Sequence, residues 1–358
     1  MQKIKGIGRK VISTFVLGGM ALGVAATTAE ALELRYSDLG PPRGPRAEAL
    51  QWWADELAKR TNNEVTVKIY WSQSLVKAKE TMKAVGAGLA DSGTILGIYT
   101  PAELPLWNLA NAPFGVSDVW VGMRTWHEMR QAAPELRQET QKKNVRIVAN
   151  FSTGAVDILS KEPITTVEDV KGKKFRTSGG WTALLKNLGA STVKVGFGEL
   201  YQALDRGTID ATQNYIQAVK AYKHYEVAGH ITEISMGQVL GFGLGINLKT
   251  YKKLSDNNRE ILDQVSVEMM DHFAKSYNGA VADAKAKMTA GIDGKKVQIH
   301  TVKDVEKWQA AGAGFVTSWK EKAGEKGVDA DAFYAKFEEI RAKYEKELAD
   351  KGYPWTRN

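Results

Sequence analysis

Apolar and polar positions along the chain switch repeatedly between two periods. Arg35 opens a short strand that ends at the Gly40-Pro41-Pro42 turn. Leu50, Trp53, Ala54, Leu57 and Ala58 recur at helical spacing and predict an amphipathic helix to about Arg60. Val65, Val67 and Ile69 then alternate with Thr66 and Lys68, which is strand period. Met82, Val85 and Leu89 predict the next helix, and Val145 to Ala149 a short apolar strand. Thr166 with Asp169 resembles a helix cap with an acid at the third helical position. Lys173 to Thr177 reads as a strand. Trp181, Leu184, Leu185 and Leu188 line a helix stopped by Gly189, and Leu200 and Leu204 line another ended at Gly207. Ile209 to Ala211 re-enters a strand. A long helical stretch runs from Ser255 to about Lys287, with Ile261, Val265, Met269 and Phe273 four residues apart. Val297, Ile299 and Thr301 alternate as a strand, and Asp329 to Lys351 forms one long helix with Gly352 after it. This rhythm predicts α/β layers with mostly parallel sheets. At about 150 residues per domain the length suggests two domains. With no repeat and no low-complexity linker, the chain is expected to cross between two lobes more than once. A hinged binding protein is built this way, and so is a two-domain enzyme.

The first thirty residues read as an address. Lys3, Lys5, Arg9 and Lys10 precede an uncharged run from Val11 to Ala29, and Ala29-Glu30-Ala31 has the small-x-small pattern of a signal-peptidase site. Cleavage after Ala31 is expected, giving an exported chain in the periplasm. The alternative is an anchor helix, but Gly18, Gly19, Gly23 and Thr27-Thr28 dilute the run. Cleavage removes four cations and Glu30 and lowers the formal charge from +8 to +5. No later stretch is apolar enough to span a bilayer.

The hydrophobic share of 43% and charged share of 25% are ordinary for a globular protein. The chain has no cysteine, which excludes disulfides, thiolate metal sites and cysteine nucleophiles. Its five histidines show no helical zinc spacing, and neither a GxSxG elbow nor a phosphate-binding GxxxxGK[ST] loop occurs. Gly241, Gly243 and Gly245 alternate with Phe242, Leu244 and Ile246 inside one strand. Such glycines mark close backbone approach rather than a nucleotide turn. The run Lys171 to Arg176 is a solvated face plus one functional arginine, so no nucleic acid is expected. No cofactor, metal site or catalytic constellation is expected either.

Two stretches carry a family resemblance. Val170-Lys-Gly-Lys-Lys-Phe-Arg-Thr177 and Phe197-Gly-Glu-Leu-Tyr-Gln-Ala-Leu-Asp-Arg-Gly-Thr-Ile-Asp-Ala-Thr-Gln-Asn214 resemble the DctP-type solute-binding proteins of TRAP transporters. Lys59 to Tyr70, Ser74 to Asp91 and Gly245 to Leu262 extend the likeness over most of the chain. The resemblance implies a two-lobed periplasmic-binding-protein-like fold of type II, with a hinge and a long helix spanning the lobes. Lobe I is expected over 32–153 plus about 240–280, and lobe II over 154–239 plus about 281–358. It implies capture of a small organic carboxylate between the lobes and delivery to the small and large permease subunits, without ATP, cofactor or catalysis. Rivals are the solute-binding subunit of an ABC importer, an exported carboxylate-processing enzyme and a sensor partner presenting ligand to a receptor.

Arg176 matches the family's carboxylate-binding arginine. A guanidinium is always charged and presents paired N–H donors that fit two carboxylate oxygens. Asn214 matches the downstream asparagine, which can donate to a carboxylate or accept from a hydroxyl; a cap or turn role is its alternative. Phe197 matches an aromatic beside the ligand. Sialic-acid-binding members carry a second arginine upstream, where Val156 stands here, and the acid usual before the asparagine is Gln213. Trp71 replaces a frequent proline and Trp181 opens the helix after the arginine strand; either is a candidate stacking wall or a packing residue. The expected solute is a monocarboxylate with a hydroxyl, ring or apolar body.

Overall fold

The computed structural model describes residues 31–357. The expected leader, apart from Ala31, lies outside the described residues. Among the described residues eleven strands form two sheets. In chain order they are β1 (Leu32–Ser37), β2 (Val65–Tyr70), β3 (Ser92–Leu96), β4 (Val145–Phe151), β5 (Asp157–Ser160), β6 (Lys174–Arg176), β7 (Ser191–Val193), β8 (Ala211–Asn214), β9 (His230–Glu233), β10 (Phe242–Asn247) and β11 (Gln298–Thr301). The first sheet has the order β2-β1-β3-β10-β4 and the second β11-β9-β5-β8-β6-β7.

The expectation of mostly parallel sheets meets a specific exception. β1 pairs in parallel with β2 and β3, β6 with β7 and β8, and β9 with β11. β10 runs antiparallel to both its neighbours, and so does β5. These are the two strands that the chain enters directly from the other sheet. A strand fed from the crossing side runs against its neighbours.

The crossing segments pair with each other. Thr153 N–H donates to the Val239 carbonyl at 3.1 Å, Val156 N–H to Gly237 at 2.8 Å, and Met236 N–H to Val156 at 2.9 Å. The helix Asp256–Ala290 is the third crossing. Its Ser255 side chain caps the start by accepting from Asn258 N–H at 3.2 Å. Leu262, Val265, Met269, Phe273 and Tyr277 pack into the core of the first lobe, whereas Ala284 and Met288 pack into the second. Midway, the Tyr277 hydroxyl donates to the Thr153 carbonyl and ties the helix to the crossing ribbon.

Packing divides the C-terminal third differently from the sequence expectation. Val297 and Trp308 are buried in the second lobe, but Trp319, Ala323, Phe333, Phe337 and Ile340 belong to the first core. The last helix, Ala330–Lys351, lays its aromatic stripe on helix Val119–Ala132, with Phe337 edge-on to Trp126 at 5.7 Å. The chain thus returns to lobe I instead of ending in lobe II. Two smaller expectations also shift. Leu89 lies past the left-handed Gly88 that ends helix Thr81–Ala87, and it is exposed. Asp169 does accept from Thr165 and Thr166 N–H at 2.8 and 2.9 Å, but only one 3₁₀ turn, Glu168–Val170, follows. Among the described residues no helix is long and apolar enough to cross a membrane.

The glycine-rich strand behaves as its pattern implies. A Cβ on Gly243 would lie 2.4 Å from Trp107 Cη2 and 3.0 Å from Ile147 Cγ2; one on Gly245 would lie 2.7 Å from Ile95 Cγ1. The indole of Trp107 is fully buried and has nowhere to retreat. Gly243→Ala is therefore expected to lower stability by about 1–3 kcal/mol through overpacking. The readout is a lower urea midpoint at unchanged slope, and an unaltered midpoint would show that the strand is not closely approached.

Candidate functional site

β6 alternates Phe175 into the second core and Arg176 onto the opposite face. Arg176 ends the strand, and the carboxyl ends of parallel strands are where α/β sheets place ligands. Its side chain is buried, 5% exposed. Nε donates to the Val195 carbonyl at 3.0 Å, which fixes the plane of the guanidinium, and its carbon lies 5.7 Å from the Phe197 ring centre. Among the described residues its two terminal nitrogens find no hydrogen-bond acceptor, and no carboxylate lies within ion-pair distance. Burial pushes the Arg176 pKa down, while Tyr215 and Tyr99 oppose the shift.

The loop that follows is braced from β8. Gln213 accepts from the Thr177 hydroxyl at 2.6 Å and from Ser178 N–H at 2.9 Å. An amide here replaces the acid of the family pattern, and it performs this bracing without placing a negative charge beside Arg176.

Arg176 and Phe197 stand on one wall of an interlobe cavity of about 130 Å³. Lobe II also supplies Ser178, Tyr215 and Tyr222. Lobe I supplies Tyr99, Phe151, Phe242, Phe273 and the Arg43 to Arg46 turn. A wider groove of about 870 Å³ adjoins it, and both share Arg176, Phe197 and Tyr222. The chamber is smaller than the roughly 300–1,000 Å³ of drug-sized sites, and eight aromatic rings stand in its wall.

Of the five residues anticipated at the site, Arg176 and Phe197 are brought together in the cavity. Asn214 stands one layer behind it. Its Oδ1 accepts from Tyr215 N–H at 2.9 Å and its Nδ2 meets His224 Nδ1 at 3.1 Å, with His224 edge-on to Phe197. Trp181 is a core residue: it is fully buried in lobe II and its Nε1 donates to the Met236 carbonyl at 2.7 Å. Trp71 follows β2 and packs, partly buried, against the first core; it does not line the chamber, although its neighbours Ser72 and Gln73 line the adjoining groove. Both tryptophans gain more by packing their large rings than by lining a chamber this small.

The sequence reading did not pick out Arg43, Arg46 or Tyr99. Arg43 lies over the Tyr222 ring at 5.4 Å, a contact between the lobes. Arg46 pairs with Asp38, which also accepts from Thr94 Oγ1 and Gly40 N–H, each at 2.8 Å. The legible signal was positional: the turn after β1 and the turn after β3 both lie at carboxyl ends of parallel strands, and the first carries two arginines. Among the described residues no group of three or more His, Asp or Glu is placed to hold a metal ion.

Residues 36–322 match the family model of bacterial extracellular solute-binding protein, family 7, DctP. The chain is 25% identical over 301 residues to a solute-binding protein of Chromohalobacter salexigens, covering 82% of this chain and 86% of that one. It is 25% identical over 272 residues to the C4-dicarboxylate-binding periplasmic protein of Rhodobacter capsulatus, covering 74% and 80%. Among solved structures it is similar to a TRAP solute-binding protein of Rhodoferax ferrireducens in complex with copurified benzoate. That match has a TM-score of 0.79 at 20% identity and covers 88% of this chain and 99% of that one. Other structures of this fold hold uronates, orotic acid or mandelate. These likenesses show a two-lobed periplasmic-binding-protein fold.

The buried histidine behind the site gives a pH signature. Burial first, and Arg176 second, hold the His224 pKa down to about 4. An unfolded histidine titrates near 6.5. Below that pH the unfolded chain takes a proton that the folded chain refuses, so the stability from neutral His224 is full above about 6.5 and is lost as pH falls toward about 4. Asp157 and Glu139, raised by burial to about 6 and about 7, act in the opposite sense. The test is therefore a difference: His224→Gln should lose less stability than the parent between these limits. Parallel curves for the two proteins would contradict the assignment.

Proposed function

This chain belongs to the bacterial extracellular solute-binding proteins of family 7, the DctP family, and on that premise we propose how its cleft selects a solute. As the solute-binding subunit of a TRAP transporter it captures a small organic anion. The finer reading is a monocarboxylate with a compact ring or apolar body. The observation that carries it is Arg176: a desolvated guanidinium, oriented by Val195, with its remaining donors free at the wall of an aromatic chamber. Removing a charge from water costs several kcal/mol unless it is paired. A carboxylate that offers two oxygens meets that need, and an uncharged solute does not.

The monocarboxylate reading rests on the charge balance of the walls. Arg46 is already matched by Asp38 and Arg43 is exposed, so among the described residues Arg176 is the buried cation left with free paired donors in the chamber. Phe197, Tyr215, Phe242 and Phe273 would surround the body of the ligand, and Ser178 offers a hydroxyl. The bound benzoate and mandelate of structural neighbours suit such a wall. One observation favours a second reading. Arg43 faces the cavity with only the Tyr222 ring as partner, and it would accept a second carboxylate, as the name of the C4-dicarboxylate-binding relative suggests.

The protein is exported after cleavage following Ala31 and presents its loaded form to the small and large permease subunits. It performs no chemistry on the solute. Asn214 and His224 hold Phe197 and the end of β8 in place, as positioning residues. Contact with both lobes favours the closed arrangement only to the extent that the solute binds it better than the open one.

In a thermal-shift screen of organic acids, a ligand at about a hundred times its dissociation constant adds about 2.7 kcal/mol of stability. Arg176→Ala is expected to weaken binding of any such acid by about 2–5 kcal/mol, a loss of at least about 30-fold. Arg176→Lys should also bind less tightly, because an ammonium lacks the fork. Full affinity in Arg176→Ala would place the site elsewhere. Benzoate bound more tightly than succinate supports the single-carboxylate reading, and the reverse order, abolished by Arg43→Gln, supports the second. Solution scattering should show compaction on adding the tightest acid, and identical profiles would contradict hinge closure.

A further inference from the structure

A second cavity, of about 450 Å³, lies within lobe I and shares no lining residue with the interlobe chamber. Its walls are helix Val119–Ala132, helix Pro134–Gln141, β4 and the long helix. Three arginines, Arg130, Arg137 and Arg146, meet there with two acids, Asp263 and Glu268, and the pairing is uneven. Asp263 is taken: it accepts from Arg146 and from the Tyr251 hydroxyl, each at 2.8 Å, and Arg146 also lies 4.3 Å from the Tyr251 ring centre. Glu268 is taken by Arg60. Arg130 and Arg137 have no carboxylate within ion-pair distance among the described residues.

Arg130 is the exceptional member. It is 7% exposed, yet its hydrogen-bond partners are neutral, the Asn150 amide oxygen and His127 Nδ1, the latter at 3.1 Å. Arg137 donates through one nitrogen to the carbonyls of Arg130 and Gln131, at 2.7 and 2.6 Å, which brings its guanidinium to the same rim and leaves its other nitrogens free. Beneath them Asn150 is wholly buried, and its amide nitrogen has no partner. His127 offers no negative charge. Burial, and then Arg130, Arg124 and Arg146, hold its pKa down to about 3, so it stays neutral. Burial and the like charge of Arg146 also push the Arg130 pKa down, the mark of a cation without compensation. Packing alone would be served as well by an uncharged side chain, since a buried charge lacking a counter-charge is destabilising.

We propose that this lobe I cavity is a second anion site, in which the guanidinium groups of Arg130 and Arg137 hold a small free oxyanion of the phosphate or sulfate type. Arg130 supplies the desolvated charge at the base and Arg137 the fork at the rim. Gln141, which also lines the cavity, offers a neutral donor. The site is independent of the interlobe chamber and of the identity of the transported solute.

The test is calorimetric titration of inorganic phosphate into the purified protein at low ionic strength, where screening is weak. It is carried out on the parent, Arg176→Ala, Arg130→Gln and Arg137→Gln. Saturable binding of one ion per chain is expected, retained in Arg176→Ala and weakened at least about tenfold in each of the other two variants, the loss typical of a charge-assisted hydrogen bond. If Arg130→Gln fails to fold, Arg137→Gln decides, because its side chain sits at the rim. Absence of saturable phosphate binding would overturn the proposal. So would binding that Arg176→Ala abolishes, or binding that Arg137→Gln leaves unchanged.

Discussion

Arg176 carries a positive charge into a chamber walled by aromatic rings, and nothing among the described residues neutralises it. Its neighbours instead hold it still. The Val195 carbonyl takes Nε, the Phe197 face lies beside the guanidinium, and Gln213 braces the loop that follows. Each of these partners is uncharged, so the orientation of the fork is settled while its electrostatic demand is left for a ligand. A protein built only for stability would pair such a cation or keep it in water. The aromatic walls sharpen the demand, because a low-dielectric surround strengthens attraction to an anion that fits and raises the cost of leaving the site empty of one.

The rest of the architecture brings two halves of this chamber to face each other. Three crossings meet at one place: the ribbon formed by 152–156 and 236–239, and the long helix pinned to it through Tyr277. Lobe I contributes aromatic wall and the Arg43 to Arg46 turn; lobe II contributes the strand end that carries Arg176. The antiparallel entries of β5 and β10 follow from the crossings. Gly243 and Gly245 let β10 pass close beneath Trp107 and Ile95 immediately beside the cleft. The crossings and the walls of the chamber thus draw on the same few elements.

Much of this was readable in the chain, and the gaps have physical causes. The long helix and the last helix carried both period and caps, Ser255 and Asp329 at their starts and Gly352 at an end, and they formed where expected. The helix from Val119 to Ala132 was not picked out, although Arg124, His127, Glu128 and Gln131 stand at i, i+3, i+4 and i+7; its other faces are buried between the core and the last helix, which makes its apolar side broad. The return of the C-terminus to lobe I was equally hidden, since a helix records which face is apolar and not what covers it. At the site, Arg176 and Phe197 were legible as part of a spaced motif. Trp71 and Trp181 were not separable from core residues, because a tryptophan has the same pattern in either place. Arg43 and Tyr99 lay in turns, where side-chain period is silent and only strand topology assigns a role.

We propose that the solute's anionic head is held by the fork of Arg176 between two closed lobes. A crystal structure of the solute-loaded protein tests it most directly. The expected result is carboxylate oxygens within hydrogen-bond distance of both terminal nitrogens of Arg176, with Phe197 against the body of the solute and the chamber shut from solvent. A loaded structure in which that guanidinium turns to bulk water, or in which the carboxylate rests on other residues, would contradict it.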